Sequence, residues 1–252
     1  MIERDTALPD ASFALLAKYE ERHFWFRARN EVIVWALRRY FPHLRTFLEI
    51  GCGTGVVLAA IRDAFPGAEL TGSELSAAGL GFAARRVGGA RLTKMDGRRI
   101  PYENAFDVVG AFDVLEHIED DVAVLQQMRR AVVPGGGLIV SVPQHPWLWS
   151  GVDEYGGHFR RYARRELLAK ICGAGFVVEH ATSFMTLVLP AMMAARFTAR
   201  SAASLDPAAE LKVGSATNAA LGLLCACEAR AIVRGWSLPV GGSLLAVARR
   251  TA

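Results

Sequence analysis

The sequence has few cysteines, and they do not form a disulfide framework. Cys52, Cys172, Cys225 and Cys227 are spread over 252 residues, whereas small secreted domains carry dense cysteines that compensate for a small core. A basic, apolar and cleavable N-terminal segment is also missing. These absences exclude the disulfide-rich secreted class and predict a protein of the reducing cytoplasm.

Long apolar runs and a strong excess of one charge are also lacking. The stretches 181–195 and 213–227 hold no formal charge, but each has only 15 residues, and a helix needs about 20 apolar residues to span a bilayer. The 29 basic and 25 acidic side chains leave a net charge of +4, which is too small to indicate a nucleic-acid partner by itself.

The sequence shows no linker, no internal repeat and no metal-ligand motif. Cys225 and Cys227 are separated by one residue within an apolar run, and no second pair accompanies them as in a structural zinc site. We therefore expect no metal. With 52% hydrophobic residues, a chain of this length can bury a full core as a single domain.

The most informative segment that is present is a strand-like run ending in alternate glycines. Residues Phe47–Leu58 read FLEIGCGTGVVL, with glycine at 51, 53 and 55. Without a Cβ atom the chain can turn sharply and its backbone can approach a ligand closely. The N–H groups of the following helix point to the same place. The segment therefore predicts a turn that cradles a nucleotide.

The spacing around this turn disfavours a dinucleotide. A dinucleotide fingerprint has its third glycine at position 56, which is Val56 here, and it does not require an acid such as Glu49 before the turn. A second apolar run ends at Glu74, 19 residues after Gly55. A carboxylate at that distance is placed to accept hydrogen bonds from both ribose hydroxyls.

Later segments complete an ordered set. Met95, Asp96 and Gly97 form a loop, and the strand Phe106–Phe112 runs into the segment DVLEHIED at 113–120. Together with the glycine turn, this set resembles the class I S-adenosylmethionine-dependent methyltransferases over about residues 45–180. The DVLEHIED segment and VPGGGLIVSVP at 133–143 resemble the branch that methylates small molecules, which includes the ubiquinone-type O-methyltransferases.

The resemblance implies S-adenosylmethionine as the cofactor and assigns roles to its binding residues. Glu49 would order the loop and the cofactor's amino group, Glu74 would hold the ribose, and Asp96 would accept the adenine amino group. Arg29 would pair with the methionine carboxylate. From the residues alone, Asp96 before Gly97 also fits an ordinary turn. The full implied set is Arg29, Glu49, Gly51, Cys52, Gly53, Gly55, Glu74, Leu75, Asp96, Gly97, Ala111 and Phe112.

The implied reaction is methyl transfer to a small apolar or aromatic acceptor, with oxygen as the expected methylated atom. The sulfonium is already an activated donor, so the protein mainly aligns the acceptor and excludes water. A hydroxyl acceptor also needs a general base, and the candidates are His145, His158 and His117. We expect the segments 142–149 and 157–162 to wall the acceptor pocket. The basic residues of the second segment could instead pair with Asp153 and Glu154.

The sequence also bears on two other function classes. An amino-methylating DNA enzyme would carry an Asn/Asp-Pro-Pro-aromatic segment after the fourth strand, where this chain has Phe112–Leu115. Nucleic acid is therefore not an expected partner. A protein of the same fold that binds the cofactor without methylating, such as a cyclase or a scaffold, stays open because a fold does not determine chemistry.

Alternating strand and helix patterns predict an α/β fold with a doubly wound, mostly parallel sheet. The resemblance implies that this sheet has seven strands and that the last strand is antiparallel. This is the Rossmann-like methyltransferase fold. We expect strands near 46–50, 69–73, 91–94, 106–111, 137–142, 176–182 and 243–249. Within one domain, the predicted parts are a helical cover at 1–44, a cofactor-binding core at 45–183, a helical insertion at 184–239 and the last strand at 240–252.

The insertion is much longer than the connection that a hairpin needs, and loops of such length tend to be functional. Its uncharged stretches are flanked by Arg196, Arg200, Lys212, Arg230 and Arg234. The alternatives are core helices, an interface of a homodimer, a cap over the acceptor pocket, or a peripheral membrane contact favoured by the basic flanks. We expect residues 185–237 to cap the carboxyl edge of the sheet.

Overall fold

The computed structural model describes residues 9–198 and 211–251. Three of the predicted parts extend beyond these ranges. Residues 1–8 of the helical cover, 199–210 of the insertion (with its basic flank Arg200) and 252 of the last segment lie outside the described residues.

A single seven-stranded sheet organises the chain, with the strand order β3-β2-β1-β4-β5-β7-β6. β7 pairs antiparallel with both of its neighbours, and the pairs among β1 to β5 are parallel. The predicted fold class is therefore confirmed. The strands are β1 Thr46–Ile50, β2 Glu69–Glu74, β3 Arg91–Lys94, β4 Phe106–Phe112, β5 Val132–Pro143, β6 Phe176–Phe184 and β7 Ser243–Arg250.

Helices cover both faces of the sheet, which explains why the central strands are apolar almost throughout. On one face, Phe47 packs with side chains of α2, α3 and α9; on the other, Leu48 packs with α5 and α7. The helices are α1 Asp10–Tyr19, α2 Phe24–Tyr40, α3 Val56–Ala64, α4 Ala77–Arg86, α5 Asp121–Ala131, α6 Gly151–Tyr155, α7 Arg164–Gly173, α8 Leu189–Thr198 and α9 Ser215–Val233.

The sequence around His117 predicts a helix soon after β4, and the structure differs from this expectation. His117 does not begin a long helix; it ends a single 3₁₀ turn, Leu115–His117. α5 begins only at Asp121, because the Asp120 carboxylate accepts the Ala123 N–H (3.0 Å) and caps the helix there. The short turn places Glu116 and His117 at the edge of the sheet rather than on a helix surface.

The topology brings both ends of the insertion to one edge of the sheet. β6 ends at Phe184 and β7 begins at Ser243, and these two residues are paired in the sheet. Since β7 is antiparallel to β5, its first residue lies beside Pro143, the last residue of β5. The insertion therefore leaves and returns at the carboxyl edge, where α/β sheets bind ligands.

Hydrogen bonds attach α9 to the rest of the protein. The Glu228 carboxylate accepts the N–H groups of Thr186 (2.7 Å) and Leu187 (2.9 Å), just after β6. At the other end of α9, Asn218 accepts the N–H of Phe24 (2.9 Å) at the start of α2. α9 therefore bridges the end of β6 and the helical cover.

The close approach of Gly241 to β6 generates a stability prediction. A Cβ atom at this position would lie 2.3 Å from the backbone oxygen of Phe184, and backbone cannot move aside cheaply. We expect Gly241→Ala to lower the free energy of unfolding by about 1–3 kcal/mol, as for other overpacked sites. Urea denaturation measures this. Gly214→Ala is the control because a Cβ there meets no atom within 4 Å, and equal effects of the two changes would contradict the packing explanation.

Candidate functional site

A cavity of about 690 Å³ opens at the carboxyl edge of the sheet, and its volume lies in the range of small-molecule sites. Its floor is built from the turns that follow β1, β2 and β4. Helices α1 and α2 and the insertion cover it. Lining residues from these three groups include Gly51, Gly53, Glu74, Asp113, Phe13, Trp25, Arg29, Val188, Met192 and Leu221.

The three glycines of the turn after β1 have left-handed backbone, with φ of 67° at Gly51, 53° at Gly53 and 80° at Gly55. Their surroundings differ. A Cβ atom at Gly51 would meet Val114 (2.6 Å) and one at Gly55 would meet Ala83 (3.1 Å), whereas one at Gly53 would meet nothing within 4 Å. Gly53 lines the cavity and Gly55 does not. Gly53 is therefore the position where open space for a ligand, rather than packing, accounts for glycine.

Glu74, at the end of β2, is held against this turn. One carboxylate oxygen accepts the Gly53 N–H (3.0 Å), and the other accepts the N–H groups of Leu75 (2.7 Å) and Ser76 (3.1 Å). Glu74 and Leu75 both line the cavity. The carboxylate is thus fixed in place and retains lone pairs for a ligand with hydroxyl groups.

Glu49 lies beneath the turn and is 2% exposed. Its Oε2 atom has no hydrogen-bond partner among the described residues. Burial raises the pKa of this carboxyl well above its usual range; the Arg29 charge partly offsets the effect, and the Glu74 charge adds to it. A buried carboxyl with an unpaired oxygen beside a cavity is suited to a ligand that brings a donor or a positive charge.

Arg29 reaches the cavity from α2 and is paired within the protein. Its Nη1 atom donates to the Asp113 carboxylate (2.7 Å), and its guanidinium lies over the rings of Trp25 (4.9 Å) and Phe26 (5.3 Å). Its buried Nε–H has no partner in the described structure. The predicted contact of Arg29 with a ligand carboxylate would use its remaining donors while Asp113 holds the group in place.

Asp96 and Gly97 line the cavity after β3. Both carboxylate oxygens of Asp96 accept hydrogen bonds from the Arg98 side chain (2.6–3.0 Å). These hydrogen bonds lower the pKa of Asp96, although its partial burial acts in the opposite direction. The predicted adenine contact would therefore be shared with Arg98.

Several predicted cofactor residues have different surroundings. Cys52 and Phe112 line the cavity, but Ala111 does not. Ala111 is fully buried in β4, paired with Ile50 of β1 and Val140 of β5. Its side chain therefore belongs to the core. The expected ligand contact concerned the backbone of Ala111 and stays a prediction.

The structure brings only two of the three predicted bases to the cavity. His117 and His158 line the cavity with their rings 4.6 Å apart, and His145 does not line it. The His145 N–H donates to the Tyr162 carbonyl, and the carbonyls of Gln144 and His145 accept hydrogen bonds from Arg161. These contacts fix the segment behind Arg161. Of residues 142–149, only Pro143 lines the cavity, which corrects the expectation for this loop.

Glu116 joins the two histidines and was not among the predicted site residues. It is 1% exposed, lines the cavity, and its Oε2 atom has no partner among the described residues. Burial, and then the charge of Asp113, raise the pKa of Glu116 well above its usual range. Burial, together with His158, lowers the pKa of His117 to about 3. At neutral pH His117 is therefore uncharged.

A buried carboxylate, Asp153, connects this histidine pair to the insertion. Asp153 accepts hydrogen bonds from Arg161 (2.8 Å) and from Arg196 of α8 (2.5 Å), and its Oδ1 atom lies 3.1 Å from His158 Nδ1. Burial by itself would raise the pKa of Asp153, but the His158 hydrogen bond and the two arginines lower it well below its usual range. The open alternative for the segment 157–162, pairing with Asp153, is therefore what the structure shows for His158 and Arg161.

The insertion contributes directly to the cavity. The lining residues include Val188, which directly precedes α8, Met192 and Arg196 of α8, and Leu221 of α9. By length and composition, α9 is also long and apolar enough to cross a membrane. Its most apolar 18-residue stretch has a mean hydropathy of 1.3, and 22% of that stretch is buried. Its exposed apolar side chains include Leu223 and Leu224.

Sequence comparison agrees with this geometry. Residues 48–138 match the family model described as a methyltransferase domain. A ubiquinone biosynthesis O-methyltransferase of Acinetobacter baylyi is 25% identical over 140 residues, covering 51% of this chain and 58% of that protein. A probable S-adenosylmethionine-dependent methyltransferase of Mycolicibacterium smegmatis is 29% identical over 177 residues, covering 69% and 67%. The chain thus spans about three fifths to two thirds of these relatives.

Solved structures show the same fold. The [4+2]-cyclase SpnF has a TM-score of 0.59 at 20% identity, covering 88% of this chain and 82% of that one. Phosphoethanolamine N-methyltransferase 2 of Haemonchus contortus, in complex with S-adenosyl-L-methionine, has a TM-score of 0.57 at 19% identity, covering 86% and 51%.

The arrangement around Asp153 generates a prediction on stability and pH. Asp153→Asn leaves two largely buried arginines without their shared charge, so we expect the free energy of unfolding at pH 7 to fall by about 3–5 kcal/mol. The folded-state pKa of Asp153 is depressed. The contribution of Asp153 to the free energy of unfolding is therefore complete above the pKa of the unfolded carboxyl, ~3.9. It decreases as the pH falls below that value.

Urea denaturation between pH 3 and pH 7 checks this expectation. Asp63→Asn, at an exposed position, is the matched control. A difference from the native protein that persists unchanged at pH 3 would contradict the ionic explanation.

Proposed function

We propose that this chain, which belongs to the class I S-adenosylmethionine-dependent methyltransferases, transfers a methyl group to an oxygen of a small apolar or aromatic acceptor. One observation carries the proposal. The nucleotide cradle of Gly53 and Glu74 and the pair His117–His158 line the same cavity, with apolar side chains of the insertion beside them. This shared lining supports the proposal, because the reaction needs a cofactor cradle, a proton acceptor and an apolar wall in one space.

The chain's residues suit S-adenosylmethionine. The Gly53 backbone leaves open space at the turn, and Glu74 is fixed where it could accept ribose hydroxyls. The unpaired oxygen of Glu49 could accept the cofactor's ammonium group. The carboxyl groups of Glu49, Glu74 and Asp96 line this part of the cavity together with the guanidinium of Arg29, which suits a ligand that carries a sulfonium, an ammonium and one carboxylate.

The bound cofactor would supply an activated methyl group, and the protein would contribute mainly position. Met192 and Leu221, from the insertion, lie in the cavity wall and would exclude water from the acceptor. An acceptor oxygen held there needs no covalent assistance, only alignment with the donor and loss of its proton. The volume of about 690 Å³ leaves room for a small acceptor beside the cofactor rather than for a polymer.

We assign proton removal to the histidine pair, and within the pair to His158. The Asp153 carboxylate lies against His158 Nδ1, which orients the ring and leaves Nε2 as its second nitrogen. A histidine positioned by a carboxylate is a common general-base arrangement. His145, which does not line the cavity, is not retained as a candidate.

The second candidate function is binding of the cofactor without methyl transfer, and the similarity to a [4+2]-cyclase of the same fold supports keeping it. Mass spectrometry of reactions with S-adenosylmethionine and a panel of phenols, enols, carboxylic acids and amines separates the two. We expect a methylated phenol or enol. Cofactor binding without any methylated product would favour the second function, and transfer to nitrogen alone would overturn the assignment to oxygen.

The cradle generates a prediction on cofactor affinity. Gly53→Val should lower S-adenosylmethionine affinity by about 10- to 100-fold, because its side chain would enter the ligand space, at the cost typical of overpacking, about 1–3 kcal/mol. Calorimetric titration measures it. Gly135→Val is matched, since Gly135 also has positive φ (77°) and open surroundings but lies outside the cavity lining. Full affinity in a folded Gly53→Val protein would remove the cradle assignment.

The histidine pair generates a prediction on turnover. His158→Ala should reduce kcat by about 10²- to 10⁴-fold, the usual contribution of a general base, with cofactor affinity nearly unchanged. Kinetics with the acceptor found in the panel, together with cofactor titration, would measure both quantities. His43→Ala, at an exposed position outside this cavity, should have native activity. Unchanged turnover in His158→Ala would place proton removal elsewhere.

A further inference from the structure

We propose that Glu116, His117 and His158 form a binding site for a divalent transition-metal ion on the acceptor side of the cavity. One potential ligand atom of each residue lies within 4.8 Å of the other two. A point therefore exists within about 2.8 Å of all three atoms. The bond lengths to zinc are about 2.0–2.2 Å, so small side-chain rotations would complete the coordination.

The carboxylate ligand is available in the structure as it stands. Glu116 is 1% exposed, and its Oε2 atom has no hydrogen-bond partner among residues 9–198 and 211–251. A buried, unpaired carboxylate oxygen is costly in the absence of a ligand. An ion shared with two histidines would satisfy it.

One of the two histidines, His158, has a hydrogen-bond partner on one ring nitrogen, which leaves its other nitrogen for an ion. His158 Nδ1 lies 3.1 Å from the Asp153 carboxylate. Metal-ligating histidines almost always have such an outer partner, which sets the tautomer and the ring orientation and leaves the other nitrogen for the ion. His158 therefore has the outer partner that is typical of a metal ligand.

The ligand set indicates which ions fit. Two imidazoles and one carboxylate suit Zn²⁺, Fe²⁺, Mn²⁺ or Co²⁺, whereas Mg²⁺ and Ca²⁺ prefer oxygen ligands. Three protein ligands leave coordination positions open. All three residues line the cavity, so an open position would be accessible to an oxygen of the acceptor.

The ion site goes beyond the proposed function, because ion binding does not require methyl transfer. An acceptor hydroxyl bound to the ion would have a lowered pKa. It would release its proton to solvent more readily, and His158 would then act as a ligand rather than as the base. The proposed function requires the histidine in either role.

The test is Zn²⁺ titration of the chelator-treated full chain by calorimetry, without cofactor or acceptor. A parallel titration with Co²⁺ is followed by visible absorption, which reports ligation directly. We expect one Zn²⁺ per chain and a Co²⁺ spectrum typical of nitrogen and oxygen ligands. Glu116→Gln should lower Zn²⁺ affinity at least about 10-fold, because losing even an outer-shell partner commonly costs that much.

Glu119→Gln is the matched control, since this exposed carboxylate lies three residues away and outside the cavity lining. Circular dichroism of each variant establishes that it is folded. Absence of stoichiometric binding to the native chain, or equal affinity of the native chain and Glu116→Gln, would overturn the ion site. Ion binding without a methylated product would instead overturn the proposed function and leave the ion site intact.

Discussion

The buried carboxylate of Asp153 holds together three parts of the chain that meet on the acceptor side of the cavity. It receives Arg161 from the segment before α7, Arg196 from the insertion, and His158 from the cavity wall. Removing two arginines from water is favourable only when their charge is paired within the protein. The position of α8 over the cavity and the orientation of His158 therefore depend on one group.

Two other carboxyl groups, those of Glu49 and Glu74, lie on the opposite side of the cavity. There the carboxyl of Glu49 is buried with an oxygen unpaired, and that of Glu74 is held by three backbone N–H groups. The first is costly without a ligand, and the second is rigid before any ligand arrives. Both features support the proposed binding of a cationic nucleoside, which would find a preorganised site and would give the unpaired Glu49 oxygen a partner.

The strands and the glycine turn could be predicted from the sequence because their signals are local. Strand and helix periodicities predicted all seven strands, and one short segment predicted the glycine turn. The acceptor side was less accessible. Glu116 was passed over because it sits beside His117 in what reads as an ordinary helix start, and its burial appears only once the 3₁₀ turn is seen. The sequence did offer one signal: acids such as Asp113 follow directly after a central strand, at the edge of the sheet where ligands bind.

The sequence alone determined the strands of the sheet, the position of the glycine turn, and the presence of a long apolar insertion before the last strand. These properties depend on residue spacing and hydrophobic pattern within short segments. Only the tertiary structure decided which histidines share the cavity, that Ala111 turns into the core, and that Arg196 reaches Asp153 across 43 positions. Such contacts join residues far apart in the chain, and backbone topology, rather than local pattern, determines which of them meet.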